Sequence, residues 1–207
     1  MKKFVVILDN GHGEETPGKR SPKGLLMDDP NGTALYEYEF NRDIVERTTV
    51  LLDALGIEYH VLVPEIEDIT LGERARRVNE LVRSNPGTDF FLVSIHANAG
   101  GGTGWECFTT VGVTESDTLA TVFCRVADKK WNDFRMRFDH SDDDPDKEAQ
   151  FYILRKTLPP AVLTENFFMD TEKDLEYIIS DAGRQAVAEV HAEACKEYIN
   201  MKLSQAA

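Results

Sequence analysis

Apolar positions recur along the chain with two different periods, and each period predicts an element. Residues 4–8 form a short apolar run closed by Asp9-Asn10-Gly11, the pattern of a buried strand ending in a turn. From residue 37 to 55, Phe40, Ile44, Leu51, Leu52 and Leu55 fall on one helical face, with Gly56 as the stop signal. Residues 57–63 read as the next strand, ended by Pro64. Thr70-x-x-Glu73 is a capping box that opens a helix running to about residue 83. Residues 89–95 are a strongly apolar strand that leads into His96-Ala97-Asn98 and a run of glycines. Residues 104–111 predict another strand and 115–131 a helix; 150–154 and 161–164 predict two further strands separated by Pro159-Pro160. A long amphipathic helix from residue 180 to about 203 closes the chain. Residues 13–35 carry little periodicity and predict a long surface loop, a feature that is often functional in compact domains.

Strands alternating with helices predict an α/β fold: a mostly parallel sheet of about six strands flanked by helices on both faces. The length of 207 residues suits one domain, with no linker or repeat, so residues 1–207 are expected to form a single domain. In this architecture ligands gather at the carboxyl ends of the strands.

Three predicted strands end in residues capable of metal chemistry: His12 after the first, His96 after the third and Glu165 after the last. A lone histidine or glutamate at a strand end is ordinarily a turn residue, but three at corresponding positions of one sheet converge. A fourth candidate comes from helical phase. At about 100° per residue, Glu37 lies within roughly 20° of Ile44 on the buried face, whereas Glu39 lies roughly 140° away. Helix boundaries are uncertain by a residue or two, so Glu39 stays open as the alternative. A buried carboxylate needs a cation, and two imidazoles plus one carboxylate with an open fourth position make a catalytic zinc site. Zinc in such a site acidifies a water and polarises a carbonyl. Glu165 then reads as the general base rather than a fourth ligand, because a closed site could not admit substrate.

The strings that carry these residues are Ile7-Leu8-Asp9-Asn10-Gly11-His12-Gly13, Glu37-Tyr38-Glu39-Phe40-Asn41, Val93-Ser94-Ile95-His96-Ala97-Asn98 and Pro160-Ala161-Val162-Leu163-Thr164-Glu165. In this order and spacing the chain resembles the zinc-dependent N-acetylmuramoyl-L-alanine amidases, most of all their phage endolysin members. The resemblance extends over nearly the whole chain and includes Arg74, Gly104-x-Glu106, residues 151–155 and Asn166-Phe167-Phe168-x-Asp170. It implies a twisted α/β sheet, one zinc ion held by His12, Glu37 and His96, catalysis by Glu165, peptidoglycan as the substrate, and residues 1–207 as the catalytic domain with no separate wall-binding domain. Asn98 and Arg155 flank the expected strand edge and are candidate substrate contacts. Two departures stand out: residues 17–23 are not the usual short glycine-rich loop, and Thr164 replaces a common aliphatic residue.

Charge and cysteine content narrow the partners. A net charge of −14 disfavours nucleic acid and anionic lipid as partners, the lack of an apolar stretch of about 18–20 residues argues against membrane insertion, and no obligate protein partner is evident. Cys107, Cys124 and Cys195 are odd in number and widely spaced, which predicts free thiols. The N-terminal apolar run passes straight into Asp9 without a cleavage site, so it reads as a strand and not a signal peptide. Synthesis in the cytoplasm follows from that reading, and action on the cell wall after release is what the resemblance implies. His60 and His191 read as structural, and Trp105 and Trp131 as packing residues. The acidic stretch 139–147 could bind calcium but lacks the EF-hand glycine and terminal glutamate, which favours a solvated loop. Two rival functions remain: another zinc hydrolase, such as a carboxypeptidase or deacetylase, and a non-catalytic wall-binding module, which would have no need of Glu165.

Overall fold

The computed structural model describes residues 3–26, 32–141 and 143–205. Its strands are β1 (Lys3–Asn10), β2 (Glu58–Val61), β3 (Thr88–Asn98), β4 (Trp105–Thr109), β5 (Lys147–Glu148) and β6 (Ala161–Phe168). Its helices are α1 (Glu37–Leu55), α2 (Leu71–Ser84), α3 (Glu115–Lys130), α4 (Tyr152–Lys156), α5 (Glu172–Ile179) and α6 (Asp181–Gln205). The strands form one sheet in the order β2-β1-β3-β6-β4-β5. The four on the β2 side run parallel; β4 runs antiparallel to β6, and β5 follows β4. The expected mostly parallel α/β sheet is thus present, with one reversed edge.

Side-chain alternation sorts the core into two layers. Val5, Ile7, Phe90, Leu92, Ala161 and Leu163 point to the face covered by Val78 of α2 and by Ile153 and Leu154 of α4. Val6, Leu8, Phe91, Val93, Ile95 and Val162 point to the opposite, larger layer built by α1, α3, α5 and α6. Both faces are covered, which is why these strands read as continuous apolar runs rather than alternating ones. α1 begins and ends where its pattern predicts, and Gly56 takes the left-handed conformation (φ 67°) that terminates it. Thr70 caps α2 by accepting a hydrogen bond from the Glu73 amide at 3.3 Å.

Three expectations need correction. Residues 150–154 are not a strand: Tyr152–Lys156 is a short helix with Ile153 and Leu154 buried side by side, a pattern that strict alternation cannot produce. Short apolar runs do not separate these alternatives by periodicity. α5 had no counterpart in the pattern. β3 and β6 also run further than their apolar stretches, so His96 and Glu165 stand within strands rather than after them. Backbone pairing continues there although the side chains have turned polar. Among the described residues, no helix is long and apolar enough to cross a membrane.

Two buried polar groups tie layers together. Arg74, 2% exposed, donates to Asp9 Oδ1 at 2.6 Å and to the carbonyls of Ile69, Asn10 and His12 at 2.8, 2.8 and 3.0 Å. Asp9 Oδ2 accepts from the Ser94 hydroxyl at 2.6 Å. On the other face, His191 of α6 meets the Val187 carbonyl through Nδ1 at 2.8 Å and the Thr164 hydroxyl through Nε2 at 2.9 Å. A carbonyl only accepts, so Nδ1 carries the proton and Nε2 accepts from Thr164, which is the neutral ring. The hydroxyl that departs from the family pattern therefore has a buried partner. Burial pushes the His191 pKa down to about 4.

Two stability predictions follow from these contacts. Arg74→Met leaves Asp9 buried without its cation and should cost about 3–5 kcal/mol in urea unfolding; a loss below about 1 kcal/mol would remove Arg74 from its anchoring role. His191 is neutral in the fold but protonates near its ordinary pKa of 6.5 when unfolded. The unfolded state then binds more protons between pH 6.5 and about 4, so stability should fall with pH across that window by up to about 3 kcal/mol. His191→Gln should flatten that limb; an unchanged pH slope in the variant would contradict this origin.

Candidate metal centre and cleft

The sheet delivers the candidate ligands through backbone constraints. At the end of β1 the chain turns through Gly11 and His12, and His12 is in the left-handed region (φ 64°). Two guanidiniums hold that strained turn, because the His12 carbonyl accepts from Arg74 at 3.0 Å and from Arg42 at 3.1 Å. Asn41, one helical turn beyond Glu37, donates to the Gly11 carbonyl at 3.0 Å. Glycine is required at position 11 because a Cβ there would stand 2.1 Å from the His96 ring.

Glu37 is the first residue of α1 and 1% exposed, as helical phase predicted, while Glu39 is exposed and accepts from the Tyr38 hydroxyl. Its Oε1 lies 3.0 Å from His96 Nδ1 and accepts from the Ala97 amide at 3.3 Å. His12 Nε2 lies 3.2 Å from the same oxygen but makes no hydrogen bond. The two imidazole rings stand edge to face with centroids 4.9 Å apart. Burial pushes the Glu37 carboxyl up, yet the two imidazoles outweigh it and hold the group well below the usual carboxylate range. Burial lowers the His12 pKa.

The ligand atoms of His12, Glu37 and His96 all lie within 4.8 Å of one another, a group that could hold a metal ion. Glu37 Oε2 and His12 Nε2 are buried with no hydrogen-bond partner among the described residues. Buried polar atoms left unpaired are costly, and a cation between them removes that cost. Two nitrogens and a carboxylate are a donor set suited to zinc, so these residues fit the ion that the sequence implies.

Glu165 occupies the next strand on the same rung, directly paired with His96, and Glu106 of β4 is its partner on the other side. Burial raises the Glu165 pKa to about 7, and its Oε2 meets no hydrogen-bond donor. His12, His96 and Glu165 line a cleft of about 400 Å³. Lys19, Leu71, Phe151, Tyr152 and Ile153 form its walls, and Lys19 Nζ stands 3.7 Å from Glu37 Oε2.

Asn98 sits on β3 with its amide nitrogen donating to Glu106 Oε1, so it is tied to the rung beside Glu165. Arg155 is exposed on α4; Phe151, Tyr152 and Ile153, not Arg155, line the cleft. His60 is exposed on β2 and His191 is buried against Thr164, away from the cleft. Sequence reasoning did not single out Lys19, nor Arg137 and Lys147, which both donate to Glu106 Oε2. Lys19 lies in the stretch that departs from the family's usual loop, which was the one available signal. Arg137 and Lys147 lie in segments without periodicity and had none.

A model of the N-acetylmuramoyl-L-alanine amidase family matches residues 6–197. The chain is 30% identical over 202 residues to the N-acetylmuramoyl-L-alanine amidase CwlM of Bacillus licheniformis, covering 98% of this chain and 71% of that protein. It is also 30% identical over 203 residues to the endolysin of Bacillus phage SPP1, covering 96% and 67%. In structure it superposes on an N-acetylmuramoyl-L-alanine amidase from Clostridium difficile 630 with a TM-score of 0.77 at 25% identity, covering 97% of this chain and 98% of the other. With its fold, its His12–Glu37–His96 cluster and these relatives in agreement, the chain belongs to the N-acetylmuramoyl-L-alanine amidase family.

Proposed function

We propose that this chain hydrolyses the amide between N-acetylmuramic acid and L-alanine in peptidoglycan, as a zinc-dependent, endolysin-like enzyme. The observation that carries the reading is the Glu37 carboxylate lodged between two imidazoles, with Glu165 on the adjacent rung at the cleft. His12, Glu37 and His96 would hold one zinc ion, which when bound supplies Lewis-acid polarisation of the scissile carbonyl and a more acidic water.

Glu165 takes the proton of the attacking water as its oxygen bonds to the lactyl carbonyl carbon. The same carboxyl then returns that proton to the alanine nitrogen as the C–N bond breaks, leaving a muramic carboxylate and a free stem-peptide amine. A carboxyl poised near neutrality suits both halves of this exchange, and the Glu165 pKa of about 7 meets that need. Phe151 and Tyr152 provide an apolar wall for sugar or lactyl surface, and Lys19 a cation for a stem-peptide carboxylate. Asn98, and Arg155 on the helix behind the wall, are proposed contacts for groups that extend past the cleft. Residues 1–207 act as the catalytic domain, with peptidoglycan reached at the cell wall.

Digestion of purified sacculi should release stem peptides with a free L-alanine amino terminus and leave peptide-free glycan, read by mass spectrometry. Release of single amino acids or acetate instead would assign the site to a carboxypeptidase or deacetylase. Glu165→Gln should lower kcat/KM by about 10²–10⁴-fold while zinc content stays near that of the wild type. Wild-type turnover in that variant would falsify the proton-transfer role. Removing zinc with a chelator should abolish activity, and adding it back should restore it.

A further inference from the structure

The acidic stretch that precedes β5 is exposed at Asp139, His140, Ser141 and Asp143, as a solvated loop would be, but it turns Asp144 and Asp146 inward. Its backbone folds back so that the Asp139 amide donates to the Pro145 carbonyl at 3.3 Å, and the Ser141 amide donates to Asp139 Oδ1 at 3.0 Å. Asp142 lies outside the described residues. The returning chain, just before β5, sets Asp146 on Thr109 at the end of β4, with Asp144 beside it.

Asp146 is 2% exposed. Its Oδ2 accepts from the Thr109 hydroxyl at 2.7 Å, but its Oδ1 is buried and meets no donor among the described residues. Asp144, half-buried, also has a buried Oδ1 without a donor, and its carboxyl lies within hydrogen-bond reach of Asp146. Among the described residues no cation pairs with either carboxylate; Lys147, next in the chain, is turned to Glu106. Burial and the neighbouring Asp144 push the Asp146 pKa up to about 7. Two buried carboxylates with oxygens facing one another need either a shared proton or a cation between them.

We propose that Asp144 and Asp146 hold a calcium ion. The donors on offer are oxygens only, which suits a hard cation, and an irregular loop accommodates calcium's loose geometry better than magnesium's strict octahedron. Cys107 packs nearby, but burial holds its thiol protonated, so it offers no thiolate to a softer metal. The ion would staple the loop to β4. It would thereby keep Lys147 on Glu106, one strand away from Glu165.

The test uses the zinc-loaded protein freed of calcium, with calcium chloride as the probe and magnesium chloride at equal ionic strength as the control. Equilibrium dialysis should find one saturable calcium site with a Kd on the order of 10⁻⁴–10⁻³ M, as for sites with few carboxylates. At about 10 mM calcium, Tm should rise by about 3–11 °C. Asp146→Asn retains an acceptor for Thr109 and should weaken calcium binding at least tenfold with zinc content unchanged; Asp144→Asn should do the same. Absence of saturable binding, an equal response to magnesium, or full binding in both variants overturns the proposal. So does a loss of wild-type stability as pH rises through 7 that is the same with and without about 10 mM calcium and that Asp146→Asn removes, because that result assigns the pair a shared proton that calcium does not displace.

Discussion

The buried contact between Arg74 and Asp9 is the constraint on which the site rests. A guanidinium held this deep is stable only when its donors are used, and here they go to one carboxylate and three carbonyls around the end of β1. The same guanidinium that neutralises Asp9 also grips the His12 carbonyl. A left-handed turn with a non-glycine residue is costly, and it persists only where the surroundings over-determine it. Arg74, Arg42 and Asn41 do so from two different helices, α2 and α1. The position of the first imidazole is therefore set by packing on both faces of the sheet.

The second imidazole depends on a network from the opposite layer. Asn166 donates to the His96 carbonyl at 2.9 Å and to Thr164 Oγ1 at 3.1 Å, and its own carbonyl accepts from Trp105 Nε1 at 2.9 Å. Thr164 in turn donates to His191. This chain joins β3, β6, β4 and α6 directly behind the rung that carries His96 and Glu165. Beyond it the β3–β6 register shifts, and Phe167 adopts a positive φ of 69°. The polar layer thus rigidifies a sheet edge that would otherwise be weakened by its own irregularity.

Charge balance explains the remaining side chains around the cleft. Glu37, Glu165 and Glu106 bring three carboxylates to one end of the sheet. Arg137 and Lys147 compensate Glu106 on the far side, and Lys19 approaches Glu37 on the near side. Among the described residues no cation contacts Glu165, which leaves burial to dominate its proton affinity. A carboxyl with that freedom can exchange a proton, whereas one locked in an ion pair cannot.

Periodicity and residue type by themselves determined the α/β class, the bounds of α1, and the convergence of His12, Glu37, His96 and Glu165. Each follows from a rule that is local along the chain: a helical phase of about 100° per residue for Glu37, and parallel strand ends for the other three. Only tertiary structure decided the reversed β4 edge, the helical form of residues 152–156 and the rung that pairs Glu165 with both His96 and Glu106. It likewise brought Lys19, Arg137 and Lys147 to their carboxylates. Those outcomes depend on which distant segments compete for the same sheet edge and on where buried charge finds its partner. Neither quantity is written in the order of apolar and polar residues.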